Sequence, residues 1–197
     1  MSNKKNRLSV QYMTRIAILG ALAAILFMIE IPVIAFYKLD LSTLPVLLGA
    51  FSMGPAAGMA ILLIKDLFGL LHSSSMYVGE LADFLMSAAY VLPAALLYRR
   101  HKTRGMALAG MTVGSVCMIV AAVLVNWLIM FPFYMTAYGM PLEGIIGMAQ
   151  AVLPFVDTQW KVLLCVTAPF NLLKGVVLSV LTYVLYKRLS PLLHVRK

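Results

Sequence analysis

A lysine and an asparagine share one face of the last long apolar segment of the chain. Asn171 and Lys174 are three residues apart within Pro169–Gly175, so on a helix they lie about one turn apart on the same side. The amide offers both a donor and an acceptor, and the ammonium offers only donors. Because a charge deep in a membrane is costly, an intramembrane lysine is a candidate for a functional site. The pair suits a ligand with hydroxyls, carbonyls or ring nitrogens.

The composition is typical of a membrane protein. Of 197 residues, 62% are hydrophobic and 12% are charged, and the mean hydropathy is +0.95. Most basic residues fall in three clusters, at 4–15, 99–104 and 187–197, and all seven acids lie outside them. This distribution argues against nucleic-acid binding and predicts that the three clusters, and with them both termini, are cytoplasmic.

The sequence gives no indication of a metal site, a disulfide or an ATP site. Cys117 and Cys165 stand alone in apolar segments, the three histidines are scattered, and no phosphate-binding loop motif occurs. Metal-binding and redox motifs need such residues at short, regular spacing.

Six apolar segments predict an all-α integral membrane protein, a six-helix transmembrane bundle that forms one domain over residues 1–197. The segments are 12–31, 43–51, 56–71, 80–98, 106–131 and 161–187. The second is short for a bilayer, but two cytoplasmic termini require an even number of crossings. We expect a turn at Ser52–Pro55 and the end of the fifth helix near Pro132. Residues 133–160 would then be external, with an interfacial or re-entrant part at 141–153.

The polar residues concentrate in the outer half of this predicted bundle or at its midplane. They are Glu30, Lys38, Asp40, Lys65, Asp66, Glu80, Asp83, Asn126, Asn171 and Lys174. The cytoplasmic half is almost purely apolar, whereas a transporter or channel needs a polar path on both sides of its site. We therefore expect a cup that captures a polar-headed ligand from outside and cannot by itself pass it inward.

Several of these residues also have purely structural explanations. The acids Glu80 and Asp83 open a helix and would favour its dipole, and Asn126 would suit an interhelical hydrogen bond. Lys174 could pair with Asp83 or Asp66. The neighbours Lys65 and Asp66 should point to different faces of their helix and should not form an ion pair.

Two further features extend the hypothesis. The aromatic residues Phe36, Tyr37 and Trp127 could stack on a flat ring, although Trp127 also fits an interfacial position. A stripe of small residues on the first helix, consisting of Ala17, Gly20, Ala21 and Ala24, would let another helix approach closely. That helix could belong to a partner or to the same bundle.

Four segments together resemble one protein family. They are Tyr37–Pro45, Phe51–Pro55, Val78–Leu81 and Pro169–Gly175, in this order. The chain resembles the riboflavin-binding substrate-capture (S) components of energy-coupling factor (ECF) vitamin transporters. The resemblance implies a multi-pass protein of the cell membrane that is not an enzyme, uses no cofactor or metal, and binds riboflavin near its outer face. It also implies delivery through a membrane coupling subunit driven by two ATPase subunits.

The resemblance further implies roles for individual residues. The ligand-binding residues would be Leu39, Asp40, Val78, Gly79, Asn126, Asn171 and Lys174. Docking onto the coupling subunit would use Ala17 and Ala21, within the stripe that also contains Gly20 and Ala24. The alternatives are an S component for another vitamin, an intramembrane enzyme that uses Glu80, Asp83 and Lys174 as acid and base groups, and an autonomous secondary transporter.

Overall fold

Seven helices and one short β-hairpin make up the part of the chain that the structure describes. This computed structural model describes residues 10–34, 37–73 and 75–193, so Phe36 and the basic residues at 4–7 and 196–197 lie outside it. The first elements are α1 (Val10–Phe27), β1 (Ile31–Ile34), β2 (Tyr37–Leu39), α2 (Thr43–Met53), α3 (Pro55–Leu70) and α4 (Val78–Arg100). They are followed by α5 (Arg104–Ala137), α6 (Leu142–Gln150) and α7, which begins at Gln159 and ends at Leu193.

The expected helical class is confirmed, but the six-helix count is corrected because the described part of the chain has seven helices, and a short hairpin is added to them. The predicted first helix ends at Phe27, and the residues after it form an antiparallel hairpin in which Ile31 pairs with Leu39. In the predicted external region, α6 buries Ile145 and Ala149, one turn apart, in a cluster with residues of α5 and α7. This burial stabilises a short helix that sequence periodicity alone did not distinguish from a re-entrant segment.

All six predicted apolar segments are helical, but they differ in length. Among the described residues, four helices are long and apolar enough to cross a membrane: α1, α4, α5 and the Gln159–Leu185 part of α7. Helix α2 has 11 residues and α3 has 16, so neither reaches the roughly 20 residues that a full crossing needs. The cytoplasmic placement of both termini stays a prediction.

The turn between α2 and α3 is confirmed at the predicted position. Gly54 has a φ of 105°, and its N–H donates to the carbonyl of Ala50 at 2.9 Å. Such a positive φ suits a residue without a side chain. Pro55 is then the first residue of α3, where its missing N–H costs nothing.

The prediction that Pro132 ends the fifth helix is wrong, because a π-helical turn accommodates the proline. In α5 this turn spans Asn126–Met130, and the helix continues to Ala137. Helix α7 repeats the arrangement with a π-helical turn at Leu163–Thr167 two residues before Pro169. The wider turns close with bonds from the Phe131 N–H to the Asn126 carbonyl and from the Ala168 N–H to the Leu163 carbonyl. Each proline therefore removes one regular hydrogen bond, but the helix that contains it continues.

Helices α4 and α5 approach each other closely through glycine. A Cβ atom added at Gly114 would lie 2.4 Å from the carbonyl oxygen of Tyr90, whose side chain is fully buried. That distance is far below van der Waals contact, so a side chain at this position would push the two helices apart.

We expect Gly114→Ala to destabilise the protein by about 1–3 kcal/mol, because overpacking at this crossing forces the backbones apart. The measurement is thermal unfolding of the detergent-purified protein. Gly147→Ala is the matched control: it lies in helix α6, and its added Cβ would meet no atom within 4 Å. Equal melting temperatures for the two variants would show that the α4–α5 crossing tolerates the extra carbon.

Candidate functional site

A cavity of about 330 Å³ lies between the hairpin, α4, α5 and α7. Its volume is in the range of small-molecule sites. Five of the seven predicted ligand-binding residues line it: Asp40, Gly79, Asn126, Asn171 and Lys174. The other two stand beside it, Leu39 in β2 opposite Ile31, and Val78 packed near Ala82. Residues from distant parts of the sequence thus meet at one place, although their role in binding stays a prediction.

The cavity has an aromatic wall that the sequence showed only in part. Tyr37 stacks on Phe170 with ring centroids 5.0 Å apart, and both line the cavity together with Tyr134 and Tyr138. Tyr134 lies in the part of α5 beyond Pro132, and Tyr138, four residues later, directly follows the end of this helix. The expected end of the helix at the proline concealed that these two side chains reach the same cavity. Phe170 could have been predicted as a lining residue, because it directly precedes the predicted binding residue Asn171.

Trp127 lies elsewhere. Its ring packs on Trp160 at 5.3 Å, and both side chains are exposed. This pair fits an aromatic belt at the membrane–water interface better than a ligand contact.

Lys174 is held by two carboxylates at the cavity. Its ammonium donates to Oδ2 of Asp40 at 2.8 Å and to Oδ1 of Asp83 at 3.2 Å. The ion pair with Asp83 was one of the structural alternatives, while the partner Asp40 comes from the loop that joins β2 to α2. Lys174 is therefore both a structural ion-pair partner and a residue of the cavity lining.

The ion pairs of Lys174 extend through Asp83 to Lys65, which does not line the cavity. We call these residues, together with Asp40 and Asp66, the charge network. The fully buried ammonium of Lys65 donates to Oδ2 of Asp83 and lies 2.9 Å from Oδ1 of Asp66. The expectation that Lys65 and Asp66 would not pair is wrong, because the long lysine side chain reaches the carboxylate of its chain neighbour. The ammonium also lies 4.4 Å from the ring centroid of Phe27, which adds a cation–π contact.

Asp66 differs from the other acids in this network. Among the described residues, neither of its buried carboxylate oxygens accepts a hydrogen bond of good geometry, despite the short distance to Lys65. The charge network thus contains two ammoniums and three carboxylates. The ammoniums are those of Lys65 and Lys174, and the carboxylates are those of Asp40, Asp66 and Asp83.

The two asparagines are each oriented by their own helix. Nδ2 of Asn126 donates to the Ala122 carbonyl at 2.8 Å, and Nδ2 of Asn171 donates to the Thr167 carbonyl at 2.9 Å. Oδ1 of Asn126 accepts from the hydroxyl of Tyr37 at 3.2 Å. Oδ1 of Asn171 accepts no hydrogen bond from any described residue, so it is an available acceptor at the cavity.

Tyr37 joins the two π-helical turns. Its hydroxyl contacts Oδ1 of Asn126, the first residue of the turn in α5, and Oγ1 of Thr167, the last residue of the turn in α7. Burial raises the pKa of the Tyr37 hydroxyl above its usual value, so the group keeps its proton at neutral pH and can donate.

The small-residue stripe of α1 does not present one uniform face. Ala17 and Ala21 are exposed and Ala24 is half-buried, but Gly20 is buried against α3. A Cβ atom at Gly20 would lie 2.8 Å from Cγ2 of Ile64. Gly20 therefore packs inside the bundle, and Ala17 and Ala21 are the exposed part of the stripe. The role of the stripe in docking stays a prediction.

Comparison with known proteins decides the family. The family described as "ECF transporter, substrate-specific component" matches residues 11–186. This chain belongs to that family. The resemblance seen in the sequence is thus confirmed at the level of the family, whose members are substrate-binding transport subunits rather than enzymes.

Relatives of this S component are similar over nearly their full length. The riboflavin transporter RibU of Staphylococcus aureus (strain TCH60) is 28% identical, over 97% of this chain and 98% of the relative. The riboflavin transporter FmnP of Bacillus subtilis (strain 168) is 24% identical, over 93% and 94%. A solved structure titled "Structure and mechanism of the S component of a bacterial ECF transporter" has a TM-score of 0.71 and 27% identity, and the alignment covers 93% of this chain and 97% of that one.

The buried charges generate a stability prediction. Lys65→Met should destabilise the protein by about 3–5 kcal/mol, because it leaves Asp83 and Asp66 without the ammonium that faces both. Adding Asp66→Asn should recover part of this loss, because the double variant has the same net charge in the network as the wild type. Thermal unfolding of the two single variants and the double variant forms the double-mutant cycle.

Lys161→Met is the control for this cycle. Lys161 pairs with Asp157 at 2.6 Å, but both side chains are exposed, so the loss of this pair should change the melting temperature little. A Lys65→Met effect as small as that of Lys161→Met, or no recovery in the double variant, would contradict the network.

Proposed function

We propose that this S component binds riboflavin in the cavity between the hairpin, α4, α5 and α7. The observation that carries the proposal is the meeting of Asn126, Asn171 and Lys174 at a cavity with an aromatic wall. The names of the full-length relatives support the choice of vitamin.

The chemistry of the lining suits a flat heteroaromatic ring with polar edges. Faces and edges for ring packing are supplied by Tyr37, Phe170, Tyr134 and Tyr138. The open acceptor on Asn171 complements a ring N–H, and the ammonium of Lys174 can donate to a ring carbonyl or nitrogen. Because Lys174 keeps two carboxylate partners, its position at the cavity is fixed before the ligand arrives, which lowers the entropic cost of binding.

Delivery of the vitamin requires partner subunits in this proposal. A second cavity, of about 280 Å³, lies at the turn between α2 and α3 and shares no lining residue with the first. Neither cavity is lined by the buried side chains of Tyr90, Met118 and Leu178, which belong to the apolar core cluster. In this proposal the chain is a single multi-pass domain of the cell membrane, with its cavity facing outside. It docks through Ala17 and Ala21 onto a membrane coupling subunit that two ATPase subunits drive.

Riboflavin titration of the purified protein tests the ligand directly. We expect the fluorescence of riboflavin to be quenched on binding, because the ring stacks on aromatic side chains. If the folded protein does not bind riboflavin but binds another vitamin, it is an S component for that vitamin and the proposal is wrong.

Asn171→Ala should weaken riboflavin binding roughly three- to tenfold, because a single neutral hydrogen bond to the ligand is lost. The melting temperature should change little, since Oδ1 of Asn171 has no partner among the described residues. Thr136→Ala is the control: its hydroxyl also bonds to a carbonyl of its own helix, that of Pro132 at 2.9 Å, but it does not line the cavity. Unchanged riboflavin affinity in Asn171→Ala would exclude this residue from the site.

Ala17→Trp should abolish riboflavin uptake by cells that contain the whole transporter, because the bulky ring prevents close approach of a partner helix. Riboflavin binding by the purified variant should remain at the wild-type level. Ile18→Trp is the control. Ile18 is exposed and follows Ala17 on α1, but adjacent helix residues point in different directions. Normal uptake with Ala17→Trp would assign this surface to lipid contact alone.

A further inference from the structure

We propose that Glu80 is a further ligand-binding residue, whose carboxylate accepts hydrogen bonds from the hydroxyl groups of the sugar-alcohol chain of riboflavin and disfavours a phosphate on that chain. The inference deepens the proposed function and rests on it. A structural alternative for Glu80 is the dipole of the helix that it opens.

The carboxylate of Glu80 has one oxygen held and one available. Oε2 accepts hydrogen bonds from Oγ of Ser73 at 2.8 Å and from Oγ of Ser75 at 3.0 Å. Oε1 accepts no hydrogen bond from the residues that the structure describes. Glu80 is only 8% exposed and lines the cavity, so a ligand or water in the cavity can donate a hydrogen bond to Oε1.

The two serines orient this carboxylate. Oγ of Ser73 accepts the N–H of Tyr77 at 2.9 Å, and Oγ of Ser75 accepts the N–H of Gly79 at 2.9 Å. Because each serine oxygen is already an acceptor for the backbone, its proton is free to point at Glu80. The serines satisfy these N–H groups at the start of α4, so the Glu80 side chain is not needed as a cap.

Glu80 is also the carboxylate of the cavity that lacks a cationic partner. Asp40 and Asp83 face Lys174, and Glu30 faces Lys38 at 2.5 Å. Within the described part of the chain, no ammonium, guanidinium or imidazole lies within 4.0 Å of the Glu80 carboxylate. An uncompensated carboxylate favours hydroxyl donors and repels an anion.

The position of Glu80 fits the outer end of a ligand whose ring contacts Asn171 and Lys174. Glu80 precedes Asp83 by three residues on the same face of α4, so it lies about 4.5 Å nearer the start of the helix. Asp83 contacts the ammonium of Lys174. A ligand held by its ring at Lys174 would therefore extend its polyol chain past Glu80 towards the opening.

The test compares three flavins with the same ring: riboflavin, lumiflavin, which has a methyl group in place of the polyol chain, and riboflavin 5′-phosphate. Each is titrated into the wild type and into Glu80→Gln, which removes the charge and keeps the shape. We expect riboflavin affinity to fall about tenfold, since a hydrogen bond to a charged group is lost. Lumiflavin affinity should stay within about twofold, and the preference for riboflavin over its phosphate should shrink by a similar factor of about ten.

Glu143→Gln is the matched control. Glu143 also lies in the first turn of a helix, α6, but it is exposed and does not line the cavity. This variant should leave all three affinities unchanged. Thermal unfolding of Glu80→Gln establishes that the protein remains folded.

An equal loss of lumiflavin and riboflavin affinity would overturn the inference. Lumiflavin has no polyol chain, so such a loss would mean that the substitution changes the shape of the cavity and not a contact with the polyol. Unchanged riboflavin affinity in Glu80→Gln would overturn it as well. Failure of the wild type to bind any flavin is a different result, since it would refute the proposed function itself.

Discussion

The buried charges are the constraint on which the rest of this structure depends. An ion removed from water is costly unless opposite charges and hydrogen bonds surround it, so each ammonium must have partners within reach. Lys174 on α7 is bound to Asp40 before α2 and to Asp83 on α4, and Asp83 is bound in turn to Lys65 on α3. Four elements are therefore fixed relative to one another by these contacts. The polar base of the cavity is a consequence of the same contacts, since three of these four residues also line it.

Backbone geometry places the uncharged polar groups beside this network. A proline in each of α5 and α7 is accommodated by a π-helical turn, and these turns hold Asn126 and Thr167. A widened turn leaves carbonyls and side chains in directions that a regular helix does not allow. The hydroxyl of Tyr37, from the hairpin, contacts both residues. The hairpin is thus attached to the two helices that it covers, and the amide oxygen of Asn171, one turn beyond Thr167, is available to the cavity, since only Nδ2 of this amide has a partner.

Local patterns in the sequence were sufficient for the apolar segments, for the turn at Gly54 and for the shared face of Asn171 and Lys174. Three kinds of feature were not accessible in this way. The partner of Lys174, Asp40, is 134 residues distant, and only the packed bundle brings them together. The continuation of α5 past Pro132 depends on how the helix redistributes its hydrogen bonds, which residue preferences do not encode. Helix α6 owes its stability to the burial of Ile145 against other helices, a tertiary effect that overrides weak local propensity.

The charge network also explains why a cavity of this kind suits capture better than passage. A ligand that moved inward through the bundle would have to pass Lys174, and opening the base of the cavity would separate this ammonium from Asp40 or Asp83. Leaving a buried charge without its partner costs about 3–5 kcal/mol, and the buried side chains that follow it on α7, Leu178 and Thr182, carry no charge that could replace the partner. Such a cost is a substantial part of the roughly 8–12 kcal/mol with which a ligand of micromolar to nanomolar affinity binds. In the proposed function, docking through Ala17 and Ala21 would leave the base of the cavity closed and would avoid this cost, which is the physical argument for assigning delivery to partner subunits.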